Sequence, residues 1–168
     1  MPKDIFANIA YGSAIETAAG TMAYGEITSG IAMFEKKAWL ISRVEYSFGI
    51  GKLALLVAEA DYIQAGITVS NKLTGFDLSD PALIDSVSIG ELDFGTPANA
   101  VLPREPWVND YSGLQGGGIL IAPNPIYVAI FGYSLAAVAY VEARIYFTYV
   151  DLKPEEYWEL VESRRLIT

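Results

Sequence analysis

The chain has 168 residues, of which 52% are hydrophobic and 18% are charged, and its mean hydropathy is +0.31. This composition excludes an intrinsically disordered chain, and the length fits one domain, residues 1–168, with a sizeable core. With 11 basic and 20 acidic residues the net charge is -9, which disfavours strong binding to nucleic acid. Because cysteine and histidine are absent, the sequence excludes thiol nucleophiles, imidazole acid-base catalysis and Cys/His zinc sites.

Neither a signal peptide nor a membrane span is predicted. The first residues do not lead from a basic region into an apolar stretch and a small-residue cleavage site. The stretch without charge between Asp110 and Glu142 is broken at residues 116–118 and 123–125. Its longest continuous part, residues 126–141, is shorter than the roughly 20 residues that a spanning helix needs.

The first half of the chain predicts strands. Residues 1–20 are expected to form an N-terminal segment. The alternation of residues 26–33 predicts a strand, residues 35–37 a turn, and residues 39–48 a second strand with Leu40, Val44, Tyr46 and Phe48 on one face. Residues 53–60 fit a helix or a buried strand equally well, so both interpretations stay open. Residues 62–70 predict a half-buried strand with Ile63, Ala65, Ile67 and Val69 on its inner side.

Two groups of acidic residues in the middle of the chain are candidates for chemistry. Asp77, Asp80 and Asp85 could donate oxygens to calcium, but their spacing is not that of a calcium loop, and Asp80 followed by proline favours a turn. In a bent strand predicted over residues 86–94, with a bulge at Gly90, Glu91 and Asp93 share one face. A retaining glycosidase of the β-sandwich type needs a third carboxylate after them, so the pair is interpreted as a solvated strand face.

The region 95–118 is too irregular for a strand and predicts an ordered surface excursion. Its three glycines at 116–118 precede a strand and lack the helix and lysine of a phosphate-binding loop, so they predict a corner. The three tryptophans, at positions 39, 107 and 158, could stack on sugars, but burial in the core is the commoner role for scattered tryptophans.

The C-terminal part of the chain carries the clearest patterns. Strands are predicted over residues 119–122, 126–133 and 141–149, the last with strict alternation. A helix is predicted over residues 154–165, because a proline suits its first turn, acidic residues follow, and two arginines end it. Asp151 is expected to help satisfy its first N–H groups. A helix this short needs to be covered by its own sandwich or by a neighbouring subunit, and the candidate packing residues are Tyr157, Trp158, Leu160 and Val161.

These elements together predict an all-β fold: an antiparallel β-sandwich, a single jelly roll of seven or eight strands, with a short C-terminal α-helix. The segments Tyr127-Val128-Ala129-Ile130, Val141-Glu142-Ala143-Arg144-Ile145-Tyr146-Phe147 and Glu156-Tyr157-Trp158-Glu159-Leu160-Val161-Glu162, together with the strands and the Pro/Gly-rich excursion, resemble a small viral single jelly-roll capsid protein. Many such proteins carry a basic N-terminal arm, whereas residues 1–19 contain one Lys, one Asp and one Glu.

The resemblance implies two packed antiparallel sheets and self-assembly into pentamers or trimers of a larger shell. The expected function is therefore that of a structural capsid protein, located in the virion or otherwise in the cytoplasm, without catalytic activity, metal or cofactor. The expected partners are further copies of the chain and other capsid proteins. The alternative hypothesis is a carbohydrate- or ligand-binding β-sandwich, which predicts exposed coplanar aromatic side chains.

Overall fold

The computed structural model describes residues 8–28, 37–48, 62–90, 106–122, 125–135 and 138–165. Within these ranges the strands and the helix, in chain order, are β1 (Asn8–Ile15), β2 (Ala23–Ile27), β3 (Lys37–Ser47), β4 (Tyr62–Thr68), β5 (Leu83–Gly90), β6 (Trp107–Asp110), β7 (Ile119–Ile121), β8 (Ile126–Tyr133), β9 (Tyr140–Asp151) and α1 (Pro154–Arg165). The predicted fold class is confirmed: the chain is an antiparallel β-sandwich with one short C-terminal helix.

The strand order is that of a jelly roll. One sheet has the order β1-β9-β3-β6 with β7 also paired to β3, and the other has the order β2-β8-β4-β5. Strands β6 and β7 pair with successive parts of β3. Together they therefore occupy one strand position beside it. Counted in this way, the strands that the structure describes form two four-position sheets, and among them only β4 and β5 follow one another within the same sheet. Every other connection crosses the sandwich, which gives the two Greek keys of a jelly roll.

The core lies between the two sheets because each strand turns one set of alternating side chains inward. In β9 the buried set is Val141, Ala143, Ile145 and Phe147, as its sequence predicts. The rings of Trp39 and Phe147 stack within this core, with centroids 3.8 Å apart and an interplanar angle of 15°. Strands β4 and β8 supply the opposite wall with Ile63, Ala65, Ile67, Val128 and Ile130.

A β-bulge in β3 makes one sequence prediction wrong. The register against β9 shifts between Ile41 and Arg43, so Ser42 is the extra residue. Trp39 and Ile41 therefore face inward before the bulge, and Val44 faces inward after it, which changes the parity of the buried side. Leu40, predicted to share a face with Val44, lies on the opposite face of the sheet.

The same bulge coincides with the break between β6 and β7. The backbone N–H of Tyr111 donates to the carbonyl of Ser42 at 2.8 Å, where the chain leaves β6. The chain returns to β3 at Gly118, whose φ is +156° and whose missing Cβ would lie 2.3 Å from the carbonyl oxygen of Ile41. Only glycine fits this close approach. The region 95–118 was predicted to contain no strand, and β6 corrects that prediction; residues 95–105 lie outside the described ranges.

Several boundaries also differ from the sequence predictions. The N-terminal segment contains β1, which forms a full strand beside β9. Strand β2 ends at Ile27, near the start of the strand predicted over residues 26–33, of which residues 29–33 lie outside the described ranges. Lys37, predicted to lie in a turn, begins β3. Strand β5 starts three residues before the predicted Ser86 and is described as far as Gly90. The ambiguous segment 53–60 and the predicted carboxylate pair at Glu91 and Asp93 lie outside the described residues.

Candidate interaction surface

The C-terminal helix places its four candidate packing residues in different environments. Tyr157 is buried, with 7% of its surface exposed, and Leu160 and Val161 are half-buried. Trp158 is 55% exposed and meets the ring of Tyr157 edge-on, with centroids 6.0 Å apart. The prediction that tryptophans are buried holds for Trp39 and is wrong for Trp158. The helix therefore has one buried face, which carries Tyr157, and it exposes the large aromatic side chain of Trp158 on another face.

The helix N-terminus is capped by its own third residue. The carboxylate of Glu156 accepts a hydrogen bond from the backbone N–H of Lys153 at 3.0 Å. This is one half of a capping box, in which the residue at N3 reaches back to the N-cap. Asp151, which is expected to help satisfy the first N–H groups, is the last residue of β9.

A partly apolar surface covers part of the outer face of the five-stranded sheet. We define this surface, the outer-face patch, as Ile9, Tyr11, Ser13, Ile15, Arg43, Glu45, Val108, Asp110, Glu142, Arg144 and Tyr146. Its large apolar members are exposed by 44% at Ile9, 63% at Tyr11, 54% at Ile15 and 44% at Val108. Three of them lie on β1, at one side of the sheet, and Val108 lies on β6 at the other. Tyrosine and arginine among exposed apolar side chains are typical of protein interfaces.

The charges of the patch are organised around Glu45. Its side chain is 8% exposed and forms an ion pair with Arg43. It also accepts a hydrogen bond from the hydroxyl group of Tyr146 at 3.1 Å, and Nη1 of Arg144 lies 4.0 Å from its Oε2. The guanidinium carbon of Arg144 lies 5.7 Å from the ring centroid of Tyr11. A buried carboxylate in the floor of the patch thus holds cations among exposed aromatic rings.

A shallow depression of about 340 Å³ opens beside this cluster and is lined by Glu45, Ser47, Pro106, Glu142 and Arg144. The hydroxyl group of Tyr140 donates a hydrogen bond to the carboxylate of Glu142 at its edge. This contact raises the pKa of Tyr140, chiefly because the hydrogen bond to the carboxylate favours the protonated phenol. The depression has a mixed polar and apolar lining and adjoins the outer-face patch, with which it shares Glu45, Glu142 and Arg144.

A buried carboxylate ties the two sheets together at the β5–β6 edge. Asp85 of β5 is 6% exposed. It accepts hydrogen bonds from the hydroxyl groups of Tyr46, at 2.8 Å, and Tyr111, and from the side-chain amide of Asn109 at 2.7 Å. The three donors belong to the opposite sheet or to the turn that follows β6. Burial raises the pKa of Tyr46 well above its usual value, and the neighbouring charge of Asp85 adds to this.

A second buried carboxylate fastens the turn between β8 and β9. Glu16 is 3% exposed, and its two oxygens accept the backbone N–H groups of Gly132 at 2.8 Å and Ala139 at 2.7 Å. The backbone N–H of Glu16 also donates to the carbonyl of Ala139 at 3.0 Å. Because a buried carboxylate is costly without such donors, Glu16 fixes how the chain passes from one sheet to the other.

The calcium candidates do not converge. Oδ1 of Asp77 accepts hydrogen bonds from the N–H and the hydroxyl group of Ser79, both at 2.8 Å, and these bonds lower the pKa of Asp77. Asp80 begins a turn, as expected, because its carbonyl accepts the N–H of Leu83 at 3.0 Å. Asp85 is engaged in the inter-sheet contacts. The part of the chain that the structure describes contains no group of three or more acidic side chains placed to hold a metal ion.

The aromatic residues on the outer side of the other sheet are arranged in pairs. The rings of Tyr62 and Tyr133 stack with centroids 4.8 Å apart and an interplanar angle of 11°, and Tyr133 is 47% exposed. Each ring covers one face of the other, so the pair is not a side-by-side platform of the kind that binds sugars. Trp107, a second candidate for sugar stacking, is half-buried against the core.

Comparison of the chain with protein-family models, with curated proteins and with solved structures finds no match. Among the residues that the structure describes, no helix is long and apolar enough to span a membrane. The outer-face patch and the exposed Trp158 are therefore the candidate functional features of the described residues. Sequence reasoning missed the patch because its members come from four strands, although the exposed positions of β1 alternate in the sequence.

Proposed function

We propose that this chain is a structural protein that assembles with copies of itself, and that the assembly is the capsid shell of a virion. The observation that carries the proposal is the outer-face patch, which leaves Ile9, Tyr11 and Ile15 exposed along a single strand. Exposed apolar side chains that lie together and are bordered by polar residues are typical of interaction sites. The exposed Trp158 on the terminal helix supplies a second anchor of the same kind.

The jelly-roll strand order supports this proposal without deciding it. Viral capsid proteins use this fold, as do lectins and cupins, so the fold alone does not specify a function. The interior of this sandwich is rigidly fastened, because Asp85 ties β5 to the opposite sheet and Glu16 ties β1 to the β8–β9 turn. A rigid unit with apolar surface on its outside is what a closed shell needs.

In the proposed shell the chain forms pentamers or trimers, and other capsid proteins join it. The net charge of -9 predicts that the nucleic acid inside is held weakly, if at all, by this chain. Assembly therefore depends on contacts between protein subunits, and it is expected to proceed without added DNA or RNA.

Negative-stain electron microscopy with sedimentation velocity tests this function. The purified chain is concentrated with and without added RNA, at physiological salt. We expect closed particles or discrete oligomers of uniform size in both samples. A chain that sediments as a monomer at every concentration, and shows no particles, would overturn the proposal.

The alternative function is a carbohydrate- or ligand-binding module, for which Tyr133, 47% exposed, offers one ring face that Tyr62 does not cover. It predicts that a panel of oligosaccharides protects the chain against thermal unfolding, and that Tyr133→Ala removes the protection. The capsid proposal predicts no protection by any sugar and no change in assembly for Tyr133→Ala.

A further inference from the structure

The strand register places four side chains of the outer-face patch in one row across the sheet. Tyr11 of β1 is paired with Arg144 of β9, Arg144 with Glu45 of β3, and Glu45 with Val108 of β6. All four lie on the outer face. From β1 to β6 the row begins with the aromatic ring of Tyr11. The positive charge of Arg144 and the negative charge of Glu45 follow, and the row ends with the apolar side chain of Val108.

Such a row is complementary to itself when it is reversed. Its two ends are both apolar, and its two central charges are opposite in sign. A two-fold axis that runs parallel to the strands, midway between β9 and β3, reverses the order of the strands and keeps each row at its own height. The row of one copy then faces the same row of the other copy, as an isologous interface requires.

We propose that a second copy of this chain docks face to face on the outer-face patch about this two-fold axis. The proposal rests on the proposed self-assembly and names the surface through which one pair of subunits makes contact. Tyr11 faces the partner's Val108, and Arg144 faces the partner's Glu45. In the neighbouring row, Tyr146 faces the partner's Arg43, a pairing that these two side chains already make within one chain at 5.3 Å. The ends of this row are less well matched, because Ile9 faces the partner's Asp110.

The exposure of Arg144 fits this contact. Its side chain is 59% exposed, and its distance of 4.0 Å from Glu45 is long for a hydrogen bond. Its guanidinium group therefore has donors to offer to a second carboxylate. Glu45 is held by Arg43 and Tyr146 with only 8% of its side chain exposed, so the partner's cation approaches the edge of a carboxylate whose position is already fixed.

The size of the patch fits a weak interface. Four strands about 4.8 Å apart give a width of about 19 Å, and the six residue steps from Ile9 to Ile15 give a length of about 20 Å. The two copies together would bury roughly 800 Å², which lies in the range of weak, transient protein interfaces. Sheets packed in this way lie about 10 Å apart, which the exposed side chains can fill.

A double substitution tests the two-fold arrangement directly. Tyr11→Lys and Val108→Glu each place a charge against an apolar side chain of the other copy. Combined in one chain, the two substitutions restore a favourable contact, because each new charge faces its opposite across the axis. Within one chain the two positions are three strand spacings, or about 14 Å, apart, so they cannot form an ion pair with each other.

The association of the wild type, both single variants and the double variant is measured by sedimentation velocity. Where the wild type forms larger particles, the critical concentration for assembly is measured instead. We expect each single variant to weaken association at least tenfold and the double variant to return within about threefold of the wild type. Leu78→Lys is the matched control, because Leu78 is 86% exposed on the loop after β4, outside the patch, and it is expected to change nothing.

Thermal unfolding confirms that each variant is folded before its association is compared. Single variants that associate like the wild type, or a double variant no better than the weaker single one, would overturn this interface while leaving self-assembly in place. A wild type that is monomeric at all concentrations would overturn both this inference and the proposed function.

Discussion

The hydroxyl group of Tyr46 lies 2.8 Å from Oδ2 of Asp85, and this hydrogen bond joins the two sheets through the interior of the sandwich. Tyr46 is fully buried on β3, and Asp85 is almost fully buried on β5. The Asp85 carboxylate also accepts hydrogen bonds from Asn109 and Tyr111. Three buried or partly buried donors therefore depend on this one side chain for their acceptor. Removing such an acceptor costs more than its hydrogen bonds contributed, since the donors remain buried and unpaired.

We therefore expect Asp85→Ala to lower the free energy of unfolding by roughly 3 kcal/mol or more. Asp85→Asn keeps one acceptor oxygen and should cost less. Urea unfolding followed by tryptophan fluorescence measures both. Ser88→Ala is the control on the same strand, where the side chain is exposed, and it should change the stability by less than about 0.5 kcal/mol. Equal stability of Asp85→Ala and this control would contradict the structural role of Asp85.

The same cluster predicts a loss of stability in alkali. Burial is the largest cause of the raised pKa values of Tyr46 and Tyr111, and contact with Asp85 raises both further. In the unfolded chain a tyrosine titrates near its usual value of about 10. Above that pH the unfolded state loses protons that the folded state keeps, so the free energy of unfolding falls as the pH rises.

The prediction is a stability that is flat below about pH 10, as far as these tyrosines contribute, and that declines above it. Urea unfolding between about pH 8 and 11 gives the slope. The double variant Tyr46→Phe with Tyr111→Phe should be less stable at neutral pH and should show a shallower alkaline decline. An unchanged slope in the double variant would show that these two phenols do not govern it.

A close contact between β1 and β2 predicts a strict requirement for glycine. A Cβ on Gly25 would lie 1.7 Å from the carbonyl oxygen of Ser13, a distance that requires the backbone to move. We expect Gly25→Ala to destabilise the fold by roughly 3 kcal/mol or more, or to prevent folding. Gly75→Ala is the matched control, because a Cβ there meets nothing within 4 Å. Similar melting temperatures of the two variants would contradict the close approach.

The alternation of apolar residues was sufficient to predict the sandwich and most of its strands. Strands β4, β8 and β9 lie where their patterns predict, because each has one face in the core and a two-residue period. The helix begins at Pro154, as its first-turn residues indicate. The two-residue period of these strands and the first-turn residues of the helix are local features of the sequence, and the elements they predict are present in the structure.

What the sequence could not predict depends on contacts between distant segments. The bulge at Ser42 shows only in the pairing of β3 with β9, which is distant in sequence, so the pattern of β3 alone places Leu40 on the wrong face. Asp85 was considered only as a calcium ligand, since its partners Tyr46 and Tyr111 lie 39 and 26 residues away along the chain. The outer-face patch combines side chains from four strands, and only the register shows that they are neighbours.

The terminal helix separates a role in folding from a role in assembly. Tyr157→Ala should lower the free energy of unfolding by roughly 3 kcal/mol, because this aromatic side chain is buried, and Leu160→Ala should cost less because Leu160 is half-buried. Trp158→Ala should change stability by less than about 1 kcal/mol but weaken assembly. Chemical unfolding and sedimentation velocity measure the two effects. A loss of stability in Trp158→Ala equal to that in Tyr157→Ala would contradict the assigned roles, as would full stability and assembly after truncation behind Leu152.

Size-exclusion chromatography with light scattering tests self-assembly most directly, because it gives the absolute mass of the purified chain in solution. One copy has a mass of 18.2 kDa. We predict a single species whose mass is a whole-number multiple of this value, such as that of a trimer, a pentamer or a larger shell, at micromolar concentration. A monodisperse species of 18.2 kDa under the same conditions would contradict the account.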